Sequence, residues 1–205
     1  MTREAQAACH IDPAILAAGD TAGDATAGLA KVFPSFDVIY LVDTDPAVLE
    51  ACMRAMRGVQ AMLGISLDYP DGLDPRRSGA APADVLLREA LLFRLTAFAT
   101  IAARQGLKLS TVGCHGALAL DVADDERTTQ VVARSVQHFD AALSLAVAAG
   151  SRGIAVAHHC GVRAVREAWQ DDVVAPSYRC EGVAIASRVD RYRVRYCAPL
   201  ALTPA

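Results

Sequence analysis

Short apolar runs rich in branched and aromatic residues alternate along this chain with longer runs whose apolar residues recur at helical spacing. "FDVIYLVDTD" (36–45) predicts a buried strand. "DPAVLEACMRAMRG" (45–58) predicts a helix, because Asp45 is a good N-cap, Pro46 suits the first helical position and Gly58 stands where a helix stops. "VQAMLGIS" (59–66) predicts the next strand. Residues 67–83, "LDYPDGLDPRRSGAAPA", form a long turn-rich loop, a kind more often functional than a plain connector. A long helix is expected over 84–105, closed by Gly106, then a strand at 107–113 and a helix over 124–138. "ALSLAVAA" (142–149) predicts a strand and "SRGIAVAHHCG" (151–161) a short helix ended by glycine. Later strands are expected at 162–169 and 182–190.

This rhythm predicts an α/β fold with a parallel sheet and helices packed on it. Doubly wound sheets and barrels both fit, and in both, sites gather at the carboxyl ends of the strands. That rule sorts the polar residues. Asp43, Asp45, Ser66, Asp68, His115, Ser151 and Asp171 fall at or just after strand ends. His158, His159 and Cys160 precede a strand and belong to the opposite face.

Composition narrows the class. A chain of 205 residues, 53% hydrophobic and 21% charged, suits one globular domain spanning 1–205. The net charge of −3 carries no footprint for nucleic acid. The arginines of "RVDRYRVRY" (188–196) alternate with apolar residues, as on one solvated strand face. The N-terminal stretch lacks the pattern of a signal peptide, and no apolar run is long enough to span a membrane, so a cytoplasmic location is expected. The six cysteines make no CxxC pair, and in a reducing compartment they act as small buried apolar side chains.

The candidate chemistry centres on His115 in "TVGCHGALAL" (111–120), placed just after a strand, where histidine serves as general acid/base or ligand. Adjacent helical residues point about 100° apart, so His158 and His159 do not chelate one ion easily. The acids of "VDTDP" and "SLDYPD" end neighbouring strands and suit cation binding or a shared proton, although Asp45 also serves as an N-cap and Asp71 as a turn former. Arg76 and Arg77 on the long loop suit a carboxylate or phosphate. The glycines of 18–28 lack the Walker lysine and a preceding strand, which excludes a phosphate loop there.

Taken together these residues resemble the LamB/YcsF family, whose best-understood role is the A-type subunit of the ATP-dependent bacterial 5-oxoprolinase. The anchors are "HGAL" (115–118), "YPD" (69–71), "RR" (76–77), "FDAALSLAVAAGS" (139–151), "EAWQD" (167–171, similar to "EVFAD") and "EGVAIASR" (181–188). The resemblance implies an irregular (β/α) barrel of the glycoside hydrolase/deacetylase type, here shortened at the C-terminus. It implies ATP-dependent opening of 5-oxoproline, or a related lactam, alongside partners of the B and C type. On that reading His115, Asp45 and Asp68 are catalytic. Arg76, Arg77, Tyr69, Asp71 and Asp171 surround the substrate, and no metal set is assigned.

Several motif positions differ. Where the family reads "CGFHAGDP" the chain has "IYLVDTDP", with Val42 for histidine. "GAHPGYPD" becomes "GISLDYPD", with Ser66 for histidine, and "KPHGALYN" becomes "GCHGALAL", with Gly113 for lysine and Ala119 for tyrosine. The first-strand motif "NCDLGE" is nearest to "ACHIDPAI" (8–15), with Asp12 as its acidic counterpart. These departures imply a degraded active site and support an alternative: a non-catalytic barrel that binds a ligand, a partner protein or a second copy of itself. A metal-dependent, deacetylase-like hydrolase built from Asp43, Asp45, Asp68 and His115 is the third reading. Three or more polar groups converging on His115 favour an enzyme. A wall of Val42, Leu67 and Leu120 favours the non-catalytic barrel.

Overall fold

In the computed structural model, which describes residues 8–11 and 36–167, the alternation resolves into one sheet of six strands. They are β1 (Ala8–Ile11), β2 (Val38–Val42), β3 (Met62–Leu67), β4 (Leu109–Cys114), β5 (Ser144–Ala148) and β6 (Arg163–Glu167). The helices are α1 (Pro46–Ala55), α2 (Pro75–Ser78), α3 (Asp84–Arg104), α4 (Gly116–Asp124), α5 (Glu126–Phe139) and α6 (Gly153–His159).

Every strand pairs in parallel with its neighbour in the chain, in the order β1 to β6. A doubly wound sheet reverses its strand order at a switch point. None occurs among these strands, so the winding is single and right-handed crossovers leave the helices on one face. The curvature is strong. His10 on β1 and Glu167 on β6 belong to the two outermost strands, yet their side chains meet at 2.6 Å. The sheet therefore curls around an interior as a barrel wall does. The strand expected at 182–190 and the shortening expected at the C-terminus both fall outside the described residues.

The strands alternate faces with period two. Ile39, Leu41, Ile65, Val112, Leu145 and Val147 point outward into the main core, against Leu49 and Met53 of α1, Leu91, Leu95 and Phe98 of α3, and Val132 and Val136 of α5. The inward positions are smaller or polar: Ala8, Val38, Tyr40 and Ala146 form a second apolar cluster, and Ser66, Thr111, Ser144, His10 and Glu167 are buried with it. Gly64 is there because Tyr40 fills the space beside it: a Cβ on Gly64 would lie 2.5 Å from the Tyr40 ring.

Most predicted elements are found within a few residues of their expected ends. Asp45 caps α1 by accepting from Ala47 N at 2.8 Å, with Pro46 at the first turn. Asp125 caps α5 by accepting from Thr128 N at 2.9 Å. The loop 67–83 contains the one-turn α2. Strand periodicity gives no sign of β1, and helix α4 was not expected either. Its first turn, "GALA", carries no capping side chain, and His115 at the N-cap makes no cap bond. Among the described residues no helix is long and apolar enough to cross a membrane.

Candidate active site

His115 leaves β4 and opens α4, with its backbone N–H donating to Leu67 O at 2.8 Å. That bond continues the β3–β4 ladder by one residue and fixes the start of the helix. The ladder pairs Ser66 with Gly113, so both face inward, and Gly113 offers no side chain between Ser66 and the next inward residue, His115. His115 Nδ1 accordingly lies 3.2 Å from Ser66 Oγ.

Asp68, two residues beyond Ser66 on the same face, supplies the cap that α4 lacks. Its Oδ1 accepts from Leu118 N at 3.2 Å and from Tyr69 N at 2.8 Å. A carboxylate there is also favoured by the partial positive charge of the helix N-terminus. Gly116 has φ +59, and a Cβ on it would collide with the Asp68 carboxylate. The "HG" pair is thus a steric requirement of this turn. Asp68 Oδ2 comes to rest 4.0 Å from His115 Nε2.

Behind Ser66 the polar chain continues inward. His10 stacks on Tyr40 with ring centroids 4.3 Å apart and planes 19° from parallel. Its Nδ1 lies 3.1 Å from Ser66 Oγ and its Nε2 lies 2.6 Å from Glu167 Oε1. The two side chains of that pair are only 7% and 4% exposed, so the short contact is a buried, charge-assisted hydrogen bond when either partner is ionised. Four side chains from four strands or strand ends, Glu167, His10, Ser66 and His115, therefore join the barrel interior to its mouth.

Arg94 of α3 reaches the same end. Its Nε pairs with Asp43 Oδ2 at 3.2 Å and its Nη1 donates to Asp68 O at 3.5 Å. Burial raises the Asp43 carboxyl above the usual carboxylate range, and Arg94 offsets part of that rise.

The other expected residues are distributed differently. Asp45 is exposed and its carboxylate is turned onto its own helix. Tyr69 donates to Asp121 Oδ2 at 2.7 Å, and Arg76 grips both oxygens of Asp121 at 3.1 and 2.8 Å. Tyr69, Arg76 and Asp121 thus clamp the 67–83 loop to α4. Burial and the Asp121 carboxylate hold the Tyr69 phenol well above its usual range, while the hydrogen bond to Asp121 raises the Arg76 guanidinium further above its own. Arg77 is highly exposed, with Asp74 at 3.6 Å, and Asp71 is exposed on the turn. Asp171 and Asp12 lie outside the described residues. Asp43, Asp45, Asp68 and His115 do not gather into a metal-holding set: no group of three or more such ligands occurs among the described residues. Nor does the apolar wall form, since Leu67 packs outward into the core and Leu120 is exposed on α4.

His10, Glu167 and Arg94 are the residues that strand-end reasoning passed over. His10 follows Cys9 as aspartate follows cysteine in "NCDLGE", and that register, rather than the one through Asp12, marks it. Glu167 opens the "EAWQD" segment. Arg94 lies inside a long helix and nothing in its neighbours distinguishes it.

Comparison with known proteins agrees with this architecture. The A-type 5-oxoprolinase subunit of Azoarcus sp. (strain BH72) is 36% identical over 129 residues, covering 62% of this chain and 50% of that protein. The corresponding 5-oxoprolinase subunit of Syntrophobacter fumaroxidans is 31% identical over 129 residues, again 62% and 50%. The crystal structure of the lactam utilization protein from Thermus thermophilus superposes with a TM-score of 0.61 at 26% identity, covering 67% of this chain and 57% of that one. The chain spans about half the length of the curated relatives it matches. The profile described as "LamB/YcsF family" matches residues 43–188, well over half of the chain and inclusive of Asp68 and His115, and the chain belongs to that family.

Proposed function

We propose that this chain is an A-type component of a 5-oxoprolinase, opening the lactam of 5-oxoproline or a related cyclic amide with ATP and alongside partners of the B and C type in the cytoplasm. The observation that carries the reading is His115 at the strand mouth, bonded to Ser66 and facing Asp68, in a chain of this family.

Lactam opening needs a proton removed from water as it attacks the carbonyl and a proton delivered to the departing nitrogen. His115 Nε2, on the Asp68 side of its ring, is the group assigned to move those protons. Asp68 orients the ring and stabilises its cationic form, as a carboxylate within about 4–6 Å does. Asp45 holds α1, and the Tyr69–Arg76–Asp121 clamp holds the loop beside the mouth. Arg76 and Arg77 remain the candidates for a substrate carboxylate, which would compete with Asp121 and Asp74 for them. The arginines named here, Arg76, Arg77 and Arg94, already face Asp121, Asp74 and Asp43. They do not form a ready triphosphate cradle.

The test uses the full chain, alone and with B- and C-type partners, and follows ATP-dependent release of glutamate from 5-oxoproline. His115→Ala is expected to lower turnover by about 10²–10⁴-fold. Unchanged turnover in that variant overturns the assignment. Val42, half-buried on the inward face where the family motif has histidine, favours the second reading, a barrel that binds without turning over. No turnover in any combination, together with saturable binding of 5-oxoproline or a B-type partner, selects that reading.

A further inference from the structure

We propose that Glu167, His10 and Ser66 are positioning residues that form a proton relay and set which ring nitrogen of His115 carries its proton. The inference deepens the assignment of His115 as the acid/base group and rests on it for its kinetic consequence, but not for its structural one.

The geometry gives the Ser66 hydroxyl two orientations. Ser66 Oγ lies 3.1 Å from His10 Nδ1 and 3.2 Å from His115 Nδ1. A hydroxyl has one proton to give, so it donates to one ring and accepts from the other. Ser66 is fully buried, which makes an unpaired orientation costly and removes competing water. Ser66 is for the same reason not a nucleophile for an external substrate. At the inner end, Glu167 as a carboxylate only accepts, so His10 carries a proton on Nε2, 2.6 Å away.

When His10 is neutral, its Nδ1 is a lone pair and receives the Ser66 hydroxyl. Ser66 then accepts from His115 Nδ1–H, and His115 Nε2 is left as the basic nitrogen on the Asp68 side. If His115 Nε2 takes a proton from water, the relay can shift. The Nδ1–H bond of His115 breaks as a new O–H bond forms at Ser66, and the former Ser66 O–H proton moves to His10 Nδ1. One proton enters at His115 Nε2 and one is gained at His10. The positive charge then sits beside the Glu167 carboxylate, and His115 is neutral with its proton on Nε2, ready to donate to a leaving nitrogen. The reverse shift restores the start. Stacking on Tyr40 holds the His10 ring in the plane that both bonds require.

The experiment is nitrogen-15 NMR of the histidine rings in the full chain, which has five histidines, with His115 assigned by its loss in His115→Gln. In the unaltered protein the neutral His115 is expected to carry its proton on Nδ1, with Nε2 unprotonated. Ser66→Ala removes one oxygen and is expected to abolish that preference and shift the proton to Nε2. Glu167→Gln is expected to weaken the preference in the presence of Ser66 and to change nothing further once Ser66→Ala has cut the relay. A purely structural role would not give that dependence. If assayable turnover is present, Ser66→Ala lowers kcat/KM by up to about 10⁴-fold, the scale of leaving a catalytic histidine in the wrong tautomer. A His115 tautomer unchanged by Ser66→Ala overturns the relay even if turnover is found. A changed tautomer with no turnover in any form of the protein supports the relay and removes the enzymatic reading instead.

Discussion

Adding one methyl group at Gly64 tests whether the inward face is packed as described. In a strand, Gly→Ala ordinarily stabilises by about 0.5–1 kcal/mol, because alanine loses less backbone freedom. Here the new Cβ would sit 2.5 Å from Tyr40 Cδ1, 2.7 Å from Cε1 and 2.9 Å from Thr111 Cγ2. Comfortable carbon contacts are about 3.5–4.0 Å, so the overlap with the ring is about an ångström. Tyr40 has little freedom to yield. It is 2% exposed, its hydroxyl lies 3.2 Å from Thr111 Oγ1, and its ring stacks on His10. Overpacking of this kind costs about 1–3 kcal/mol, so Gly64→Ala is expected to lower Tm by about 2–12 °C for a chain of this size. The check is a double-mutant cycle with Tyr40→Ala, followed by thermal or urea unfolding. With the ring gone, Gly64→Ala should cost at least about 0.5 kcal/mol less than it does beside Tyr40. A Gly64→Ala protein as stable as the parent, or one equally destabilised in both backgrounds, refutes the packing.

Two further predictions concern the outer layer. The Thr128 hydroxyl and backbone hold the Asp125 carboxyl below its usual range, so its contribution is present above pH 3.8 and lost as pH falls through its lower folded value. Asp125→Ala should therefore cost about 1 kcal/mol at pH 7, with the gap from the parent closing in acid unfolding below pH 3.8; a gap independent of pH refutes the cap. Burial pushes the Cys52 thiol up to about 12 and raises Cys114 as well, while Cys160 is only half-buried. Iodoacetamide at pH 8 should label Cys160 before Cys52 and Cys114, which react only on unfolding, and mass spectrometry showing Cys114 modified as fast as Cys160 would contradict its packed position.

Periodicity made most of the fold legible because most elements announce themselves locally. The stretch 45–58 carries its own N-cap, Pro46 and terminal glycine, and α1 lies within it. Helix α4 did not appear for the opposite reason. Its cap is Asp68, contributed by another strand, and a local pattern carries no trace of a partner fifty positions away. Strand β1 is four residues long and carries an inward histidine, so neither alternation nor branched residues mark it. The choice between a doubly wound and a singly wound sheet is likewise a matter of strand order, which periodicity does not contain.

The site was legible one motif at a time, and that is why its departures looked like separate losses. Register connects them. The parallel ladders place Tyr40 level with His10 on β1 and Gly64 on β3, and Ser66 level with Gly113 on β4. A Cβ on Gly113 would already lie 3.1 Å from Tyr40 and 3.3 Å from His10, so a side chain there requires this stacked pair to give way by a few tenths of an ångström. Conversely, a glycine at 40, as in "CGFHAGDP", would leave His10 without the ring on which it stacks. Tyr40 and Gly113 are therefore complementary, one large where the other is absent. Ser66 is similarly matched to His10. A hydroxyl 3.1 Å from one imidazole and 3.2 Å from another bridges two histidines, which a larger ring at 66 would hold apart. His10, Tyr40, Ser66 and Gly113, four of the positions that differ from the motifs, lie against one another, and through His10 and Ser66 a polar path reaches His115. Substituting any one of them back toward its motif, Gly113→Lys first among them, should disrupt this inward face rather than restore a missing function.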